Sequence, residues 1–219
     1  FEEWHRKFPE KPLEEFAFRI NKMSRSGALF DLDKLNDISK TELSQLSPEA
    51  MLAFLKEWAF AFGTEKEQSY FADEEYLLRV LALCMGVGGK KRRKDFVTAK
   101  QAVAEIGYFF GDRVQKDEYR VDNATRDAVL HGFLQMYDYA DDAQTWFSKV
   151  KELAASLGFA AEMRDYKANP EAYRGSVADV AEVLRIAVTG RANSPDLWTI
   201  MQILGDGRAR ERVAQAINS

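Results

Sequence analysis

The sequence has a single cysteine, Cys84. That excludes an internal disulfide and suits a reducing, cytoplasmic setting. Histidine is nearly as scarce: only His5 and His131 occur, far apart. A Cys/His metal centre needs clustered ligands, so no metal site is expected. Five prolines and 13 glycines among 219 residues leave little material for strand-and-turn architecture. No run of about 18 apolar residues occurs, so neither a membrane span nor a membrane partner is expected. There is no Gly-x-Ser-x-Gly elbow and no dinucleotide fingerprint. The 35 Asp and Glu are spread out, so no acid/base pair and no catalytic residue is assigned. Lys and Arg number 31, giving a net charge of -4. That balance weighs against nonspecific nucleic-acid binding, which relies on a positive field, and DNA is not an expected partner. A local basic site on an acidic body remains open.

What the chain does have is helical periodicity. It is 46% hydrophobic and 30% charged, and its apolar residues recur at i, i+3, i+4 spacing nearly throughout. The expected fold class is all-α, with helical bundle subdomains in series. Asp31 reads as an N-cap with Leu32 and Leu35 on the buried side. Ser47-Pro48-Glu49 reads as cap, proline and acid, opening a helix that Gly63 stops. Asp73 opens another, stopped at Gly86, with Cys84 as a small core residue. A helix over about 124–139 carries His131 beside its apolar face, without a second ligand at i+3 or i+4. Asp141 or Asp142 caps the next. Val180, Val183, Leu184, Ala187 and Val188 form one face of a later helix, with Gly190 as its left-handed terminus. Ser194 reads as the N-cap and Pro195 as the first residue of a helix through Leu204, packed antiparallel to its predecessor. The final helix shows Arg208, Arg210 and Arg212 on its exposed side, as a solvated face.

The most function-like stretch is Gly86 to Asp95. Flexible backbone leads into Lys90, Lys91, Arg92, Arg93 and Lys94, with Asp95 placed to cap the next helix. The glycine spacing is wrong for a Walker loop. Consecutive cations on a loop suit a phosphate backbone, and arginine also suits base edges and stacking; the plain alternative is a solvated charged loop. Tyr108, Phe109 and Phe110 could be a stacking platform. At helical spacing beside Val103 and Ile106, core is the better account.

Two stretches carry a resemblance. Arg185-Ile186-Ala187-Val188-Thr189-Gly190, with Pro195, Leu197 and Leu204-Gly205 after it, is similar to the Arg-Val-Ala-Leu-Thr-Gly run near the C-terminus of bacterial glutamyl-tRNA synthetases. In that family Pro-Leu and Leu-Gly follow it; here Asp196 stands between the proline and leucine. Ala28 to Leu35, with Phe30-Asp31 and Lys34-Leu35, resembles the family's segment just after the catalytic domain. Lys22-Met23-Ser24-Arg25-Ser26 spells the ATP loop of class I synthetases. We read it as a chance copy, because neither a nucleotide-binding sheet nor a histidine-containing phosphate motif accompanies it.

The resemblance implies a C-terminal portion of such an enzyme: a stem-contact segment at 1–63 and anticodon-binding subdomains at 64–122 and 123–219. The abrupt start at Phe1, without methionine, fits a piece of a longer protein. The implied partner is tRNA(Glu), bound by a monomer through Lys90, Lys91, Arg92, Arg93 and Lys94, with Arg185 and Arg191 as secondary candidates. Arg185 could instead tie helices through a buried salt bridge. ATP and Mg would belong to the absent catalytic domain, leaving no cofactor here. Glutaminyl relatives, with a β-barrel in this region, match less well. Two other classes stay open: a helical protein-interaction scaffold without RNA, and an ATP-binding module built on Lys22 to Ser26.

Overall fold

A computed structural model describes residues 2–22, 31–89, 91–111 and 117–217. Among the described residues there are twelve α-helices and no β-strand, only an isolated bridge between Ala160 and Ser176. The chain divides into two units, Phe1–Leu35 and Asn36–Ser219.

The first unit holds α1 (Glu2–Lys7) and two 3-10 turns, Leu13–Glu15 and Ile20–Lys22. Trp4 meets Phe16 edge-on at 5.4 Å and Phe8 at 6.2 Å, forming a small aromatic cluster. Positions 23–26 of the Lys22 to Ser26 run lie outside the described residues, as does the start of the Ala28 to Leu35 segment. Asp31 caps α2 (Leu32–Gln45) as expected, its carboxylate accepting from the Lys34 amide at 3.0 Å. Leu32 and Leu35 are exposed, however, against the expectation of a buried side. What α2 buries lies toward its other end, where Ser44 is buried and Leu43 and Leu46 pack on the core.

In the second unit most helices begin on an oxygen-bearing side chain that accepts one of the free N-terminal amides; α9 (Met163–Ala168) has no such bond. Ser47 caps α3 (Pro48–Phe62), Thr64 caps α4 (Glu65–Ser69) and Asp73 caps α5 (Glu74–Cys84). Thr98, not Asp95, caps α6 (Ala99–Ile106), because Asp95 is engaged elsewhere. Asp122 caps α7 (Asn123–Met136) and Asp142 caps α8 (Ala143–Ser156). The short α9 (Met163–Ala168) leads to α10 (Val177–Thr189), opened by a Ser176/Asp179 capping box. Gly190 closes α10 at φ 78°, a conformation that disfavours any side chain with a Cβ. Asp196, rather than Ser194, caps α11 (Leu197–Leu204): its carboxylate accepts from the Thr199 amide at 2.8 Å. Ser194 is held by Arg185 instead, so Pro195 lies in the link and not in the helix.

One continuous core runs from Met51 to Ala216. Helices α3, α5 and α6 pack together, and α7, α8, α10 and α12 (Asp206–Ile217) form a second group. Helix α11 packs on α5, α8 and α12 and so touches both groups. Both α10 and α11 pack on α8 and α12. Tyr108 and Phe109 are buried core residues, and His131 is exposed.

The arginines of α12 meet the expectation of a solvated face only in part: Arg208 is exposed, Arg210 is half-buried and Arg212 is buried. Arg208 donates to the carbonyls of Leu204 at 2.8 Å and Phe109 at 3.1 Å. Arg210 donates to the Tyr137 carbonyl at 2.8 Å, just past the end of α7. Arg212 is buried and donates to the carbonyls of Val188 at 2.9 Å and of Tyr108. Helix C-termini leave carbonyls without partners and carry partial negative charge, so a cation with several donors satisfies both needs. Arg212 therefore acts inward, although its spacing reads outward, while Arg208 and Arg210 bind carbonyls from the surface.

The cap assignment generates a prediction. Asp196→Ala should lower stability by roughly 1 kcal/mol in a urea titration, the usual loss for a removed N-cap. Asp196→Asn should lose much less, since the amide oxygen can still accept. Equal losses in the two variants would contradict the assignment.

Candidate functional site

The basic loop is built by the end of α5. The Gly86 amide donates to the Leu83 carbonyl at 3.0 Å and the Val87 amide to the Ala82 carbonyl at 2.9 Å, a Schellman closure. Gly86 sits at φ 68°, and a Cβ there would lie 3.0 Å from the Lys91 carbonyl oxygen and 3.1 Å from the Arg93 amide nitrogen. Only glycine lets the loop fold back this closely, and the Arg93 amide then donates to the Met85 carbonyl at 3.0 Å.

Folding back sorts the cations. Lys91 and Arg92 are exposed and have no ion-pair partner among the described residues. Arg93 is half-buried and clamped on Asp95, both Nε and Nη2 lying 2.6 Å from one carboxylate oxygen. Lys94 reaches back to the Thr41 hydroxyl at 3.1 Å. Lys90 lies outside the described residues.

Arg93 and Lys94 then line a cleft of about 360 Å³ together with Arg191, Ser194 and Pro195 from the link between α10 and α11. Lys40 joins from α2, Gln101 and Glu105 from α6, and Tyr108 and Cys84 form part of the wall. Sequence positions a hundred residues apart thus meet at one site. Arg191 is ion-paired with Glu105, and its guanidinium lies 5.7 Å from the centre of the Tyr108 ring. Burial lowers the Arg191 proton affinity below the ordinary arginine value. The link itself is pinned: the Ala192 amide donates to the Asp117 carboxylate at 2.7 Å, and the Asp117 amide donates to the Gly190 carbonyl at 3.2 Å.

Arg185 does not line this cleft. Its Nη1 donates to the Ser194 hydroxyl at 2.6 Å, the Pro195 carbonyl at 2.8 Å and the Ser194 carbonyl at 3.2 Å. It ties α10 to the link through neutral acceptors, where a buried salt bridge was the expected form. Burial also lowers its proton affinity. Lys40 and Gln101 were not legible as site residues in the sequence, and Tyr108, weighed there as a stacking residue, reads there as core. Each comes from a separate helix or turn and carries no local motif. A metal reading finds no support: among the described residues no three His, Cys, Asp or Glu side chains are grouped to hold an ion.

Cys84 shows how closed the base of the cleft is. Burial pushes its thiol up to about 12 from an ordinary 9.0, and Arg93 only partly offsets this. Burial raises the Tyr108 and Tyr137 hydroxyls in the same direction. The unfolded chain ionises these groups at lower pH than the folded one does. Stability is therefore fully present below pH 9 and declines as the pH rises toward 12. Cys84→Ala should flatten the first part of that decline, between about pH 9 and 10, in urea titrations repeated along the pH scale. An unchanged slope would contradict the assignment.

Comparison with known proteins adds the last observation. The family model described as anticodon binding domain matches residues 55–217. The chain is 41% identical over 220 residues to the glutamate–tRNA ligase of Acetivibrio thermocellus, covering 99% of this chain and 40% of that protein. It is 37% identical over 222 residues to that of Clostridium perfringens, covering 97% and 40%. The chain thus spans about two fifths of the length of the curated relatives it matches. Its fold is similar to a solved glutamate tRNA ligase from Elizabethkingia meningosepticum, with a TM-score of 0.58 at 18% identity over 92% of this chain and 35% of that one. No described helix is long and apolar enough to cross a membrane. The match over most of its length shows that the chain belongs to the anticodon-binding domain family.

Proposed function

We propose that the chain is the C-terminal, tRNA-holding part of a cytoplasmic glutamate–tRNA ligase and that the cleft beside the basic loop takes the anticodon of tRNA(Glu). The observation that carries this reading is the meeting of Arg93 and Lys94 with Arg191 at one cleft. Arginine in a partly desolvated cleft can donate two parallel bonds to a base edge, and unstacked bases are what proteins read in RNA. Lys91 and Arg92, both exposed, neutralise phosphates, and from its place in the sequence Lys90 is assigned the same role. Arg185 acts through the link it holds. In this division residues 1–63 contact the stem, and 64–122 and 123–219 form two successive anticodon-binding parts of a monomer. ATP and Mg serve the catalytic domain of the whole enzyme, and the present residues hold neither. Their task is to place the tRNA so that its acceptor end reaches the reaction.

Salt titration of binding to a tRNA(Glu) transcript, beside a copy altered in the anticodon, tests the proposal. Affinity should fall steeply with salt, as it does when several cations displace counterions from phosphates. Lys91→Ala should reduce the logarithmic salt slope by about one and weaken both RNAs alike. Arg93→Ala and Arg191→Ala should each cost roughly 1–3 kcal/mol on the native anticodon and far less on the altered one. Salt-insensitive binding without preference for either RNA would favour an interaction scaffold instead.

A further inference from the structure

Arg212 is not among the cations discussed above as RNA contacts. It is buried in α12 and does not line the cleft. Its two donors nevertheless end on the wall residue Tyr108 and on the helix that leads to the wall residue Arg191. Nη1 donates to the Val188 carbonyl at 2.9 Å, in the last turn of α10. Nη2 donates to the carbonyl of Tyr108, in the 3-10 turn Gly107–Phe110 that follows α6. Three residues after Val188 comes Arg191, and the Tyr108 ring is the surface over which Arg191 lies.

We propose that Arg212 is a positioning residue for the anticodon cleft: by bridging the Val188 and Tyr108 carbonyls it fixes the spacing between Arg191 and Tyr108, and so sets anticodon discrimination without touching RNA. This rests on the reading of the cleft as the anticodon site. The physical argument is one of geometry. A guanidinium is planar, and its donors leave in fixed directions, so two carbonyls bound to one guanidinium are held at one separation. A lysine ammonium, a point charge on a flexible stem, can satisfy one of them without fixing both. The other bonds across this region, including that of Arg208 to the neighbouring Phe109 carbonyl, do not join α10 to the Tyr108 carbonyl. Arg191 to Glu105 joins the link to α6, ahead of Tyr108 in the chain, and the Asp117 bonds hold the link from its far side.

The same geometry supplies a local probe. Cys84 is the chain's single cysteine and lies in the wall of this cleft, 7% exposed. If Arg212 sets the spacing, loosening it opens the wall before the molecule unfolds.

The test compares Arg212→Lys and Arg212→Met with Leu153→Ala, a core truncation in α8 away from the cleft, in the full 219-residue chain. Two readouts are taken well below each unfolding midpoint. The first is the labelling rate of Cys84 by a disulfide reagent, expected to rise about tenfold or more in both Arg212 variants and much less in Leu153→Ala. The second is the ratio of affinities for tRNA(Glu) transcripts with native and altered anticodons, expected to fall about tenfold in the Arg212 variants while Leu153→Ala keeps it. Labelling that tracks global stability equally in all three variants overturns the positioning role. Raised labelling with an unchanged affinity ratio overturns the link from spacing to discrimination. Failure of the parent reading looks different: the unsubstituted chain itself shows no preference for the native anticodon, while the labelling result still judges the bridge. Should Arg212→Met fail to fold, Arg212→Lys, which keeps the charge and one bond, carries both readouts.

Discussion

A buried guanidinium whose donors end on backbone carbonyls holds this molecule's parts in register. Arg212 joins the end of α10 to the turn after α6, so it crosses from one helical group to the other. Arg208 makes a second crossing, from the end of α11 to Phe109. Such bonds matter more than surface ion pairs. An exposed pair contributes ~0–1 kcal/mol, whereas a hydrogen bond to a charged group contributes roughly 1.5–3 kcal/mol. The acceptors lie at the ends of helices and turns, where carbonyls lack partners within the helix. One cation thereby answers two structural debts, the unsatisfied carbonyls and the residual negative end of each helix dipole.

The clamp also explains how an acidic chain can carry a basic cleft. The net charge is -4, yet Arg212 is spent internally and Arg93 and Lys94 of the loop are gathered in the cleft with Lys40 and Arg191. At physiological salt, fields between exposed charges fade over about 8 Å. A ligand at the cleft therefore meets Arg93, Lys94, Lys40 and Arg191, and not the carboxylates of distant helices. Composition averages over the whole surface and misses this segregation.

Much of the fold was legible, because caps and periodicity are local. Ser47, Asp73, Asp142 and Gly190 each do what their neighbours in sequence suggest. The errors at the caps share one cause, a partner that competes for the side chain. Ser194 precedes proline and acid as a good cap should, but Arg185 takes its hydroxyl and moves the helix start to Asp196. Asp95 stands before a helix but is drawn to Arg93, leaving Thr98 as the cap. Arg208, Arg210 and Arg212 read as a charged face because nothing nearby shows the carbonyls they bind. The site was half legible for the same reason. The basic run and the Arg185 to Gly190 motif stand out separately, but only packing brings Arg93 to Arg191 and adds Lys40 and Tyr108.

That packing divides the basic residues by mobility, and mobility decides what each can do in the proposed function. Lys91 and Arg92 are exposed and without ion-pair partners among the described residues. They keep most of their rotamer freedom, which suits contact with a phosphate backbone whose charge is the same at every position. Arg93 is held on Asp95, and Arg191 is held between Glu105 and the Tyr108 ring. Their entropy is already lost before a ligand arrives, and fixed donors distinguish one base edge from another. The carboxylates beside them are consistent with this: Asp95 and Glu105 cancel part of the charge yet fix its direction. A cleft built only to attract RNA would do better without them. A cleft that must choose among anticodons gains from orientation what it gives up in field strength.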